Sequence, residues 1–158
     1  MSTVLFVCTG NICRSPMAEV LLQMRLARDK AREDWYVHSA GVWTTDGRPA
    51  SKHGIEEMAQ RGINLRDHYS RNVTREMMVE ASLVLTMTHA HAEALNAAFP
   101  DCAHKVYLLS EMSEPAYDIQ DPYGGTRTEY AYTAKELEQL IEKGYERIVA
   151  LVEKNESD

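Results

Sequence analysis

A thiol, an arginine and a hydroxyl lie close together near the N-terminus, in the segment CTGNICRS at residues 8–15. An apolar run precedes this segment and a stretch with helical spacing follows it, so we expect a tight loop between a strand and a helix. Backbone N–H groups at such a turn, together with the positive end of the helix dipole, bind anions. Arg14 can hold a tetrahedral oxyanion with two parallel hydrogen bonds, and the same field favours the thiolate form of Cys8. The segment therefore predicts a nucleophile that attacks a bound phosphate group.

This chemistry requires an accessible, ionised sulfur at the base of the loop, encircled by amide groups. Five residues separate Cys8 from Arg14, which is enough for the chain to curl once around an anion. We expect Gly10 to adopt the unusual φ that such a curl needs. The hydroxyl of Ser15 can donate a hydrogen bond to the thiolate, first when the sulfur attacks and again when it leaves.

Cleavage of a phosphate monoester also requires a proton for the departing oxygen, and Asp121 is its predicted donor. This residue opens the segment DPYGG at residues 121–125, where the proline stiffens the loop. The neighbouring Tyr123 suits a substrate that carries a ring. The same carboxylate could then activate the water that breaks the covalent intermediate. Asp118, three residues earlier, is the competing candidate for this role.

Short apolar runs alternate with helical spacing along the rest of the chain. The predicted strands are residues 4–7, 36–39, 83–87 and 106–109. The predicted helices are one that starts at Ser15 as its N-cap, one at about 50–60, one at 89–98, and a long final helix with an apolar stripe over 137–152. This alternation predicts an α/β fold, a three-layer sandwich of a four-stranded parallel sheet with helices on both faces. The whole chain, residues 1–158, is expected to form one domain.

The predicted sheet also brings distant groups together. Ligands of such sheets bind beyond the carboxyl ends of the strands. Cys8 directly follows the first strand, and the loop that carries Asp121 follows the fourth. We therefore expect both side chains at the same edge of the sheet.

Composition narrows the functional class. A formal net charge of −7 argues against a general nucleic-acid or membrane-surface binder. The N-terminal apolar stretch is too short for a signal peptide or a membrane span. An odd number of cysteines, three, fits a reduced cytoplasmic protein with free thiols.

The motifs together resemble the low-molecular-weight protein tyrosine phosphatases. The resemblance rests on the CTGNICRSP segment at 8–16, on the SAG segment at 39–41 and on the DPY segment at 121–123. It implies a four-stranded parallel sheet, phosphorylated proteins as substrates, a phosphocysteine intermediate, and neither metal nor cofactor.

The resemblance also implies roles for individual residues. Cys8 would be the nucleophile, Arg14 the phosphate clamp and stabiliser of the transition state, and Asp121 the acid and then the base. The residues that would bind phosphate or substrate are Thr9, Gly10, Asn11, Ile12, Cys13, Ser15, Trp43 and Tyr123. A hydrogen-bond network formed by Asn11, Ser15, Ser39 and His68 would hold the loop in shape.

The chain also resembles a bacterial branch of this family that includes protein arginine phosphatases. That branch has a threonine in the loop where this chain has Ile12. A threonine can contact a polar guanidinium group, whereas isoleucine offers an apolar wall to a phenyl ring. The sequence therefore favours phosphotyrosine as the substrate, with phosphoarginine as the alternative.

Two further functions are weaker alternatives. A thiol-coupled arsenate reductase needs additional cysteines to relay a disulfide, and residues 80–92 contain none. A phosphate-binding module without turnover would lack the nucleophile or the acid, and this chain has both.

Some side chains have two interpretations. Cys13 could be an inert core residue or the partner of Cys8 in a reversible disulfide. His89 and His91 are two residues apart, so they point to opposite sides of a helix and do not suit a shared metal ion. They are predicted to start the helix and to face solvent.

Overall fold

The computed structural model describes residues 1–158, and a four-stranded parallel sheet lies at its centre. The strands are β1 (Thr3–Cys8), β2 (Tyr36–Gly41), β3 (Leu83–Thr86) and β4 (Val106–Leu108). Their order in the sheet is β2-β1-β3-β4. The α-helices are α1 (Arg14–Leu26), α2 (Lys52–Gln60), α3 (Arg75–Glu80), α4 (His89–Ala98) and α5 (Arg127–Ser157). Shorter 3-10 helices occupy Lys30–Arg32, Pro100–Lys105 and Leu109–Met112.

The central strand β1 is buried along its whole length because it pairs on both sides and is covered on both faces. Val4, Phe6 and Cys8 pack into one core cluster, with residues of α1, α2 and α5. Leu5 and Val7 point the other way and pack with residues of α3 and α4. Two helical layers therefore enclose the sheet, as the sequence predicted. Each fully buried large apolar side chain contributes about 1.5–3 kcal/mol relative to an exposed one.

The strand register places the ends of three strands side by side. Cys8 pairs with Gly41 at the end of β2, and Val7 pairs with Thr86 at the end of β3. The segments that follow these strands therefore meet at one edge of the sheet. This is the edge where Cys8 and Asp121 were expected.

The start of α1 differs from the prediction. The helix begins at Arg14, and Cys13 stands at the N-cap position without a capping side-chain bond. Ser15 therefore lies inside the helix and is not its N-cap. Its hydroxyl lies within hydrogen-bond distance of the Cys8 sulfur and accepts a hydrogen bond from Asn11.

Other boundaries shift by a few residues, and one helix was not predicted. The strand β2 continues to Gly41, and α2 starts at Lys52. The short helix α3 begins where the Thr74 hydroxyl accepts a hydrogen bond from the N–H of Met77. No helix is both long enough and apolar enough to cross a membrane.

Candidate active site

The loop of residues 8–15 connects β1 to α1 and carries the candidate nucleophile. The Sγ atom of Cys8 lies 2.9 Å from the hydroxyl oxygen of Ser15. Cys8 is 2% exposed, because it ends the buried central strand and pairs with Gly41. Its sulfur therefore lies at the base of the loop, and its accessibility to a ligand stays a prediction. Only a group that enters the loop could contact this sulfur.

Five consecutive N–H groups of the loop, those of residues 9–13, donate to no other group of the protein. Buried or half-buried N–H groups are almost always paired, so this run next to a helix N-terminus is suited to bind an anion. Asn11 has a φ of 57°, which turns the chain inward at this point. Gly10 was expected to adopt this left-handed conformation, but Asn11 adopts it instead, since asparagine tolerates it better than most residues.

Asn11 holds the loop through every polar atom of its buried side chain. Its Nδ2 donates to the hydroxyls of Ser15 and Ser39, at 2.9 Å each. Its Oδ1 accepts from the backbone N–H of Arg71 at 3.0 Å. The backbone carbonyl oxygen of Asn11 lies 2.6 Å from Nε2 of His68. The structure thus brings Asn11, Ser15, Ser39 and His68 together, in the set that the resemblance implied.

Two charged residues complete this network, and sequence reasoning missed both. Ser39 donates to Glu19 at 2.7 Å, and burial raises the pKa of that carboxyl group. Arg71 donates through Nε to the carbonyl oxygen of Ser39 at 3.1 Å. Its Nη2 lies 2.8 Å from Nδ1 of His38. Neither residue has a periodicity or a motif that marks it in the sequence.

The Arg14 guanidinium is buried beside the loop, with 4% of the residue exposed. Its Nη1 donates to the carbonyl oxygen of Ile119 at 2.8 Å, which fixes the plane of the group. Its Nη2 makes two long contacts, 3.5 Å to Thr9 Oγ1 and 3.5 Å to Asp121 Oδ2. Its Nε has no partner in the protein. A buried guanidinium with an unpaired Nε–H and a loosely held Nη2 is suited to bidentate binding of an oxyanion.

The two candidate acids have different partners. Asp118 Oδ1 accepts from the N–H of His89 at 2.8 Å and lies 2.7 Å from its Nδ1. These bonds lower the pKa of Asp118, which makes it a poor proton donor. Asp121 faces Arg14 through Oδ2, while its Oδ1 accepts from the N–H of Tyr123 at 3.1 Å. The geometry therefore favours Asp121 as the acid at this site.

A cavity of about 220 Å³ opens over the loop. Its lining residues are Thr9, Gly10, Ile12, Cys13, Trp43, Arg48, Asp121 and Tyr123. Trp43 and Tyr123 are 82% and 63% exposed, so two aromatic rings stand at the rim. The backbone of Trp43 is tied to the loop, because its backbone N–H donates to the backbone carbonyl oxygen of Thr9 at 3.1 Å. Arg48 was not predicted, because it lies in an irregular segment with no pattern.

His91 is the clearest disagreement with the sequence prediction. It is 4% exposed instead of facing solvent, and its Nε2 lies 2.8 Å from Thr9 Oγ1. It belongs to the first turn of α4, which begins directly after β3 at the same sheet edge as the loop. Residues that directly follow a strand at this sheet edge lie near the loop. This position in the sequence, and not the helical spacing, could have predicted that His91 belongs to the site.

Cys13 is buried behind the loop, with its Sγ 3.2 Å from the hydroxyl of Tyr130. Burial raises the pKa of its thiol. All three cysteines are free thiols. Cys13 also lines the cavity, and its pairing with Cys8 stays a prediction.

The rest of the molecule offers no comparable site. A larger hollow of about 420 Å³ lies between residues 114–117 and α5, but no thiol and no unpaired buried donor lines it. No group of three or more His, Cys, Asp or Glu side chains is arranged to hold a metal ion. The loop is therefore the best candidate.

A thiol at the base of an anion-binding loop, on a parallel α/β sheet, defines the class of cysteine-dependent phosphatases. The family model of the low molecular weight phosphotyrosine protein phosphatases matches residues 3–156. The chain belongs to this family. It is therefore a hydrolase of the protein phosphatase type, and phosphocysteine chemistry is general to its family.

Relatives and solved structures agree with this assignment. A protein-arginine-phosphatase from Bacillus subtilis is 39% identical over 139 residues, covering 87% of this chain and 91% of the relative. A probable low molecular weight protein-tyrosine-phosphatase, EpsP of Ralstonia nicotianae, is 33% identical and covers 96% and 99% of the two chains.

The crystal structure of a YwlE mutant from Bacillus subtilis has a TM-score of 0.87 with 36% identity, over 94% of this chain and 99% of that one. The low molecular weight protein tyrosine phosphatase from T. tengcongensis also has a TM-score of 0.87, with 38% identity over 93% and 99% of the chains.

Proposed function

We propose that this chain hydrolyses phosphotyrosine in proteins, with Cys8 as nucleophile and Asp121 as acid and then base. The observation that carries the proposal is the run of unpaired N–H groups at residues 9–13 around the Cys8 thiol. These groups and the unpaired Nε–H of Arg14 supply the donors that a phosphoryl group with three charged oxygens requires.

In the first step the Cys8 thiolate attacks phosphorus and an S–P bond forms. The P–O bond to the tyrosine oxygen breaks, and that oxygen takes the proton of the Asp121 carboxyl group. In the second step the Asp121 carboxylate accepts a proton from a water molecule as its oxygen attacks phosphorus. The S–P bond then breaks, inorganic phosphate forms, and the hydroxyl of Ser15 stabilises the departing thiolate.

The walls of the cavity support an aryl substrate. Ile12 offers an apolar surface, and the rings of Trp43 and Tyr123 stand at the rim. Arg48 also lines this cavity. Its positive charge opposes the guanidinium group of phosphoarginine and does not oppose a neutral phenyl ring. Together these groups favour phosphotyrosine.

Phosphoarginine is the alternative, and the comparisons support it. Two of the similar proteins, from Bacillus subtilis and Geobacillus stearothermophilus, are protein-arginine-phosphatases with 39% and 37% identity.

We further propose a cytoplasmic location, which the three free thiols support.

One experiment separates these functions. Peptides that carry phosphotyrosine or phosphoarginine are incubated side by side with the enzyme and a metal chelator, and phosphate release is measured. We expect faster turnover of the phosphotyrosine peptide. Faster turnover of the phosphoarginine peptide would overturn the substrate assignment, while leaving the mechanism intact.

The mechanism is tested by Cys8→Ser. The hydroxyl is a far weaker nucleophile, so this variant is expected to lose turnover of aryl phosphates and still bind orthovanadate. Persistent turnover would exclude the phosphocysteine intermediate.

A further inference from the structure

We propose that the Thr9 hydroxyl donates a hydrogen bond to the phosphoryl group of the substrate, and that His91 is the positioning residue that keeps this hydroxyl a donor. This inference rests on the proposed function and adds one side-chain donor to the groups that act on the phosphate, together with the residue that positions it. Its starting point is the 2.8 Å contact between Thr9 Oγ1 and His91 Nε2.

The ring of His91 has only one tautomer that suits its surroundings. Its Nδ1 accepts a hydrogen bond from the N–H of Thr88 at 3.2 Å, so the proton of the neutral ring is on Nε2. Burial, and the nearby positive charge of Arg14, lower the pKa of His91 to about 4. The ring is therefore neutral near pH 7, and its Nε2–H donates to Thr9.

Thr9 receives hydrogen bonds and gives none within the protein. Its Oγ1 accepts from His91 Nε2 and, at 3.5 Å, from Arg14 Nη2. A hydroxyl has two acceptor lone pairs and one proton, so both lone pairs are engaged and the proton has no acceptor in the protein. Thr9 is exposed and lines the cavity over the loop. The free O–H is left to donate to a group that enters this cavity.

The position of Thr9 makes a phosphoryl oxygen the natural acceptor. Thr9 follows Cys8 directly, and its Oγ1 is within reach of the Arg14 guanidinium that would hold the same anion. A donor whose direction is fixed in advance stabilises the charge that develops on the phosphoryl oxygens without reorganising during the reaction.

His91 also has a structural role, and the test must separate the two. Its N–H donates to the Thr88 hydroxyl and its Nδ1 accepts from Thr88 N–H, which forms a capping box at the start of α4. The cap uses Nδ1, whereas the bond to Thr9 uses Nε2. Asparagine places an acceptor near the position of Nδ1, and glutamine places a donor near the position of Nε2.

The experiment compares four single variants and one double variant with p-nitrophenyl phosphate as substrate and orthovanadate as inhibitor, and records the melting temperature of each. Thr9→Val removes the hydroxyl and keeps the shape, and Thr9→Ser restores a hydroxyl. His91→Asn keeps the cap and removes the donor to Thr9. His91→Gln keeps that donor and weakens the cap.

We expect Thr9→Val and His91→Asn to lower kcat/KM and orthovanadate affinity by about ten- to a hundredfold, the range of a hydrogen bond to a charged group. The serine and glutamine variants should recover most of this loss. Of the two His91 variants, the glutamine variant should be the more active, and the asparagine variant should have the higher melting temperature. The double variant Thr9→Val/His91→Asn should be no slower than Thr9→Val, because His91 acts through Thr9.

Three results would overturn the inference. One is a Thr9→Val enzyme with wild-type kcat/KM. Another is a His91→Asn enzyme that keeps full activity while Thr9→Val loses it. The third is a loss of activity in both His91 variants that is proportional to their loss of melting temperature. His91 would then act only as part of the helix cap. The proposed function fails separately, since it predicts that the wild-type enzyme turns over this substrate and that Cys8→Ser does not.

Discussion

Gly41 lies against the carbonyl oxygen of Thr9 so closely that a side chain does not fit between them. A Cβ atom at Gly41 would lie 2.5 Å from that oxygen and 3.3 Å from the backbone nitrogen of Asn11. Gly41 ends β2, paired with Cys8 across the sheet. The absence of a side chain here allows the loop to close beside its neighbouring strand.

We therefore predict that Gly41→Ala displaces the loop. Overpacking of this kind costs about 1–3 kcal/mol, and we expect kcat/KM for an aryl phosphate to fall by at least about tenfold because the N–H groups lose their alignment. Urea unfolding and steady-state kinetics measure the two effects. For stability, the matched control is Gly10→Ala, since a Cβ there meets nothing closer than 3.7 Å. Equal unfolding free energies for the two variants would contradict the steric argument.

The two carboxylates of the late loop are predicted to respond differently. Asp121→Asn removes the proton donor that faces Arg14, so we expect a large loss of kcat, about a hundredfold, for phenyl phosphate, whose leaving group needs protonation. The loss should be smaller for p-nitrophenyl phosphate, whose leaving group departs readily.

Asp118→Asn is the matched control for this prediction. Its carboxylate bonds to His89 at the start of α4, so this variant should lose some stability and keep the dependence on leaving group. A leaving-group dependence that changes in Asp118→Asn and not in Asp121→Asn would move the acid to Asp118.

Most of the fold could be predicted because the apolar runs are short, continuous and regularly separated by helical spacing. The run at residues 4–7, for example, can only be buried on both faces, and a parallel sheet with two helical layers is the arrangement that does so. The short helix α3 was missed because six residues offer too little periodicity; its start at Thr74 is a side-chain cap.

In the site, the loop motif, the sheet topology and the family resemblance predicted most of the residues, whereas residues outside any motif were missed. Cys8 and Arg14 share one loop, so their spacing carried the information. Arg71 and His91 reach the loop from the segment before α3 and from α4, and Glu19 of α1 joins the network through Ser39. Their side chains are ordinary in their own segments, and only the folded arrangement brings them into this network.

Acid should destabilise the fold partly through His91. Burial lowers the pKa of this histidine from 6.5 to about 4 in the folded chain, whereas the unfolded chain keeps the ordinary value. Below pH 6.5 the unfolded chain therefore binds a proton that the folded chain does not, and stability falls with decreasing pH until about 4. This histidine alone accounts for a loss of about 3 kcal/mol across that window.

His91→Asn is predicted to remove that part of the acid sensitivity. The free energy of unfolding, measured with urea at several pH values, should fall less steeply in the variant than in the wild type between pH 6.5 and 4. His38, whose pKa burial also lowers to about 4, remains in both proteins and cancels in the comparison. Parallel curves for the two proteins would show that His91 titrates normally in the folded chain.

The choice between an aryl ring and a guanidinium group should depend on Ile12 and Arg48, which both line the cavity. Ile12→Thr replaces an apolar contact with a hydroxyl, and Arg48→Ala removes a positive charge. We expect each change to raise kcat/KM for a phosphoarginine peptide relative to a phosphotyrosine peptide, by about tenfold for the buried Ile12 contact and by less for the exposed Arg48. The Arg48→Ala effect should shrink at high salt, because charge repulsion at an exposed site is screened, whereas the Ile12→Thr effect should persist. If neither variant changes the ratio of the two rates, the cavity walls do not set the preference, and recognition of the substrate lies outside the loop.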